Sequence, residues 1–351
     1  MPKTIFDYVN APVIAAYVNE LGSNQIPYLG ELLFPAKKKV GIDLKWIKTH
    51  SSLPVALANG AFDAKAPLRD RMGLTISETK MPFFREAMRI GEEERQNLLT
   101  FMAANMDSSV KTAVQKIYDD ANNLVAGVDV DAERMRMQLL STGKISIVDK
   151  TGLHRDFDYK FNTKHIQAKL TSTNAWSNAA APVTEQIESW IDIIESDTGV
   201  RPTRAICSRK TFNYLKKNTE ILTELKPLLT ASTPITDAQL KNWFNEKFRL
   251  QVSVYTKKYL IVAGGESQQF FPDNVFTLLP PGNLGNTWFG TTPEEADLMT
   301  GQNGASVSIV KTGVAITTYK EIHPVNAKTI VSAIMLPSFE SSETVFIANV
   351  A

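Results

Sequence analysis

The chain has 351 residues, 43% hydrophobic and 21% charged, so it holds enough apolar material for a buried core and favours two or three structural units. Its 38 Lys and Arg against 37 Asp and Glu give a net charge of +1, which excludes the strong basic surplus typical of nucleic-acid readers. The single cysteine, Cys207, excludes an internal disulfide. With no long uncharged apolar stretch and no signal-peptide pattern, we expect a soluble protein made in a reducing cytoplasm.

The first part of the chain predicts an arm followed by a long loop. Residues 1–36 mix helical patterns with turn residues, which indicates an extended arm with one short helix. Apolar and polar residues alternate over 40–48 and again over 72–76, which predicts two strands. The segment 49–71 between them is polar and has no periodicity, which is unusual inside a compact domain. We therefore expect a projecting two-stranded loop that packs on another subunit.

A long helix and a hairpin follow. An apolar stripe at helical spacing predicts a spine helix over about 107–141, bent and interrupted near Gly127. Over 144–161 two alternating runs flank a turn at 149–152, which predicts a β-hairpin.

From residue 183 the pattern alternates helices with short strands, and after about 301 it becomes rich in strands. Helix-capping residues are placed at Thr184, Ser208 and Thr236, and a terminating glycine is placed at Gly199. Strands are predicted over 204–207 and 250–254, near 307–309 and 314–316, over 328–335 and over 344–350.

No motif in the sequence carries catalytic or cofactor chemistry. Gly264-Gly265 follows an apolar run, but no lysine follows at the spacing of a phosphate loop, so a plain turn is favoured. The histidines lack metal-ligand spacing, and the acidic run Asp129 to Glu133 lacks the glycine of a calcium loop. Cys207 lies in an apolar strand and is expected to be a core residue. We therefore predict no enzyme, no catalytic residue, no cofactor and no metal.

Two segments carry a family resemblance. Phe271–Leu279, which contains Pro272-Asp273-Asn274, and the glycine-bounded aromatic stretch Gly285–Glu295 resemble the late segment of lambda-type (protein E family) major capsid proteins of tailed bacteriophages. The run Pro27–Ile47 resembles the part of that family that leads into its extended loop. The structural motif residues on which the resemblance rests are Phe271, Pro272, Asp273, Asn274, Gly285 and Gly290.

This resemblance implies an α+β fold, the Hong Kong 97-type capsid fold of tailed phages. It has an N-terminal arm, an extended two-stranded loop, a peripheral domain with a long spine helix, and an axial α/β domain. The implied boundaries are 1–47 for the arm and its strand, 48–90 for the loop, 91–182 for the peripheral domain, 183–305 for the axial domain, and 306–351 for strands that return to the peripheral domain.

The resemblance also implies a function. The chain would be a major capsid protein that self-assembles, as hexamers and pentamers, into the icosahedral head shell around the double-stranded DNA genome. Scaffold, portal and decoration proteins are implied partners, with assembly in the host bacterial cytoplasm, non-specific DNA contact on the inner face and no membrane. Candidate assembly residues on the loop are Asn59, Gly60, Lys65, Arg69 and Arg71.

Other interpretations stay open at this point. A covalent cross-link through Lys65 or Lys80 is possible in this fold but is not expected of lambda-type members. An encapsulin-like nanocompartment shell would share the fold but package a cargo enzyme. A soluble α/β enzyme with a scattered site is a rival from another class, and another phage structural protein, such as a tail component, is a third.

Overall fold

The computed structural model describes residues 10–22, 28–47, 76–104, 107–148, 154–225, 235–262, 264–300, 305–321, 323 and 326–351. The helices, in chain order, are α1 Ala11–Gly22, α2 Leu29–Leu33, α3 Glu92–Ala103, α4 Asp107–Thr142, α5 Val183–Thr198, α6 Arg209–Lys217, α7 Thr219–Leu225, α8 Asp237–Phe248 and α9 Pro293–Thr300. Within these residues, no helix combines the length and apolarity needed to cross a membrane.

The strands extend along most of the chain. In chain order they are β1 Ala36–Lys38, β2 Asp43–Ile47, β3 Ile76–Lys80, β4 Phe83–Ile90, β5 Lys144–Val148, β6 His154–Asp158, β7 Ile166–Gln167, β8 Arg204–Ser208, β9 Gln251–Tyr255, β10 Lys258–Leu260, β11 Ser267–Gln269, β12 Val275–Leu279, β13 Thr287–Phe289, β14 Ser306–Val310, β15 Val314–Glu321, β16 Asn326–Pro337 and β17 Phe346–Asn349.

The chain divides into two compact units. The first contains residues 1–45, 78–133 and 286–338, and the second contains 46–77, 134–285 and 339–351. This division differs from the predicted domain boundaries in the last third, because 286–305 belongs to the first unit and 339–351 to the second. The reason is strand pairing: β13 pairs with β16, whereas β17 pairs with β12. Periodicity identifies a strand but does not identify its partner.

The first unit is built on a six-stranded sheet in the order β1-β13-β16-β15-β14, with β4 also paired to β16. The long strand β16 is the centre of this sheet: β15 pairs with residues 326–332, β4 with 327–334 and β13 with 335–337. Residues 83–90, which the sequence predicts to lie in the extended loop, form the strand β4 of the main sheet. The remainder of the predicted loop, residues 48–75, lies outside the described residues.

The second unit is built on a five-stranded sheet in the order β7-β17-β12-β8-β9. The central strand β12 is buried along its whole length, which explains why four of its five residues are apolar. Burying the Thr277 hydroxyl is compensated because it donates a hydrogen bond of 2.8 Å to the Leu140 carbonyl. Helices α5, α6 and α8 add aromatic side chains to one continuous core, among them Trp190, Phe212, Phe244 and Phe248.

Several sequence predictions are confirmed by these elements. Helix α4 spans the predicted spine, and β5 and β6 form the predicted antiparallel hairpin, whose turn lies outside the described residues. Ser208 accepts a hydrogen bond from the Thr211 amide as the N-cap of α6, and Thr236 forms the predicted capping box with Gln239. Gly199 has a φ of 71° at the end of α5, as a C-terminal glycine should.

Other predictions were wrong. Helix α4 continues through Gly127 without an interruption, because one glycine costs only about 1 kcal/mol in a helix this long. The residue before α5 is Pro182 and not Thr184, and no side chain caps that helix. The N-terminal arm holds two helices, α1 and α2, where one was expected. Helices α7 and α9 and the strand β4 were not predicted.

Candidate functional site

The Pro272-Asp273-Asn274 turn joins the buried Phe271 to the central strand β12 of the second unit. Asn274 has a φ of 64°, in the left-handed region that asparagine tolerates better than most residues. Asparagine at position 274 therefore suits the backbone geometry of this turn.

Hydrogen bonds from this turn tie three elements together. The Ser208 hydroxyl, at the start of α6, donates to the Asp273 carboxylate at 2.7 Å. The Asn274 amide donates to the Thr211 hydroxyl at 3.0 Å, and the Asn274 carbonyl accepts from the Val350 amide at 2.8 Å. One network of five residues thus holds together helix α6, the start of strand β12 and the C-terminal residues. The partners in each of these hydrogen bonds are more than 60 residues apart in sequence.

The chemistry around this turn is structural. Ser208 uses its hydroxyl to cap α6 and to reach Asp273, so its polar atoms are already occupied. The neighbouring Cys207 is fully buried, and this burial raises the pKa of its thiol to about 12. A thiol in that state is a poor nucleophile. The expectation that Cys207 is a core residue agrees with its position in β8.

The second motif segment is divided between the two units. Gly285 is buried at the end of the second unit, whereas Gly290 lies in the first unit after β13. A Cβ at Gly290 would lie 2.6 Å from the Gly41 carbonyl oxygen and 2.9 Å from a methyl of Ile334, so glycine is needed for this close approach. The Gly290 amide donates to the Ile334 carbonyl at 2.8 Å, and its carbonyl accepts from the Lys38 ammonium at 2.9 Å.

Helix α9 begins three residues after this glycine and supplies two carboxylates to the same unit. Glu295 pairs with Lys38 of β1, and Glu294 pairs with Arg85 of β4. Glu294 also accepts from the Ser332 hydroxyl of β16 at 2.9 Å. Sequence reasoning missed this helix, although Thr292-Pro293-Glu294-Glu295 carries a start signal. Proline suits the first helical position, and the Thr292 hydroxyl accepts from the Glu295 amide.

A groove in the first unit has a cavity volume of about 310 Å³. Apolar side chains from β4, α3 and α4 line most of it, and charged side chains of both signs stand beside them. In the part of the chain that the structure describes, no group of three or more His, Cys, Asp or Glu side chains is placed to hold a metal ion.

The predicted assembly residues lie outside the described residues; they are Asn59, Gly60, Lys65, Arg69 and Arg71. Their role therefore stays a prediction. Lys80, the other lysine considered for cross-linking, is exposed at the end of β3.

The family model for phage major capsid protein E matches residues 10–350 of the sequence. The chain belongs to this family. The predicted relationship to lambda-type capsid proteins is thereby confirmed, and this phage major capsid protein is a subunit of an icosahedral shell. No protein of curated function matches the sequence.

Solved structures share the fold of this capsid protein. The proposed capsid protein of a prophage from E. coli CFT073 has a TM-score of 0.60 at 14% identity, covering 98% of this chain and 99% of that one. A phage-related protein from Bordetella bronchiseptica RB50 has a TM-score of 0.55 at 14% identity, covering 97% of each chain. The capsid subunit of cyanophage A-1(L) has a TM-score of 0.50 at 13% identity, covering 92% of each. The predicted α+β phage capsid fold is confirmed.

Proposed function

We propose that the shell built by this capsid protein is a phage head that encloses double-stranded DNA, and that the protein has no catalytic activity. The observation that carries the proposal is the family match over almost the whole sequence, 10–350. The network around Asp273 and the buried thiol of Cys207 support it, because both place reactive groups in structural roles.

The two units correspond, in this proposal, to the domains of a capsid subunit. The first unit, with its six-stranded sheet and residues 107–133 of the long helix, has the content of a peripheral domain. The second unit, with its five-stranded sheet and helices α5 to α8, has the content of an axial α/β domain. Strand β17 is then part of the axial sheet and does not return to the peripheral domain.

The segment 48–76 is proposed to be the extended loop that lies over a neighbouring subunit. Many weak contacts made together give a stable shell, because each contact made raises the effective concentration for the next. A contact of about −4 kcal/mol alone corresponds to only millimolar affinity. Weak single contacts also let a misplaced subunit leave.

Hexamers and pentamers are the proposed building units, with scaffold and portal proteins, and in some shells a decoration protein, as partners in the host cytoplasm. DNA would touch the inner face without sequence preference, as the net charge of +1 suits a shell that contains DNA without reading it.

A deletion of residues 52–70 tests the role of the loop. We expect the shortened chain to keep the circular dichroism spectrum and melting behaviour of a folded subunit but to form no shells in electron micrographs. Normal particles from the deletion variant would contradict the loop proposal. Nuclease-protected DNA in particles from infected cells would support a phage head, and a protein cargo in place of DNA would support a nanocompartment.

A further inference from the structure

We draw no further inference here: the strongest candidate, the apolar groove that strand β4 and helices α3 and α4 form in the first unit, is lined by charged side chains of both signs, Arg89 and Lys116 beside Glu94 and Asp120, and nothing in the described part of the chain shows what covers it.

Discussion

The Ser208 hydroxyl donates a hydrogen bond of 2.7 Å to the Asp273 carboxylate, across 65 positions of sequence. Ser208 is also the N-cap of α6, so one side chain fixes the start of a helix and its position against the Pro272–Asn274 turn. The Pro272–Asn274 part of the family motif thus stabilises the fold of the second unit.

Removing this hydroxyl should destabilise the subunit. Ser208→Ala loses the helix cap and leaves Asp273 without its buried donor, and we expect the free energy of unfolding to fall by about 1–2 kcal/mol. Urea denaturation of the unassembled subunit measures this change. Ser196→Ala, which removes an exposed hydroxyl inside α5, is the control and should change stability by less than about 0.5 kcal/mol. Equal effects of the two variants would contradict the structural role of Ser208.

Two glycines should respond to alanine in opposite directions. Gly290→Ala forces a methyl against the Gly41 carbonyl and should destabilise the subunit by about 1–3 kcal/mol. Gly127→Ala meets no atom within 4 Å inside α4 and should stabilise it by about 0.5–1 kcal/mol. Denaturant midpoints measured on both variants check the sign of each effect. A stable Gly290→Ala variant would show that the close approach at this glycine is not required.

The thiol of Cys207 should be unreactive towards thiol reagents in the folded subunit. Burial raises its pKa to about 12, so its thiolate fraction at pH 8 falls by about three orders of magnitude relative to an ordinary cysteine. Reaction with a thiol reagent should be slow in buffer and fast in urea. Rapid labelling under native conditions would contradict the burial of this side chain.

The carboxylate of Asp237 should titrate below its usual range. Hydrogen bonds from Lys216, at 2.8 Å, and from Arg209 lower the pKa of this carboxyl to about 2. Because the folded-state pKa lies below the unfolded one, the contribution of Asp237 to stability is complete above about pH 4 and is lost as the pH falls towards 2. NMR titration measures the pKa, and Asp237→Asn should remove this part of the pH dependence. A normal pKa would show that the two cations do not hold the carboxylate.

Local patterns in the sequence predicted elements well and pairings poorly. The stripe from Val110 to Val125 predicts α4, and the Thr236–Gln239 box predicts the start of α8, because both signals lie within a few residues. The assignment of β13 to one unit and of β17 to the other depends on partners far away in sequence, which periodicity does not encode.

The motif residues were predicted by resemblance, but their physical roles were not. Asp273 is polar in sequence, and only the fold brings it to Ser208. Gly290 could be recognised as a motif glycine, yet the reason for it is the Gly41 carbonyl 249 positions earlier. Leu260, Ile261 and Val262 are an apolar run in the sequence, and only the structure shows that each is more than half exposed, because exposure is a property of the folded chain.

Electron microscopy of the purified full-length protein tests the central claim most directly. The account predicts closed icosahedral particles built from this chain under assembly conditions. A uniform population of monomers under all such conditions, with no particles and no capsomer-sized assemblies, would contradict it.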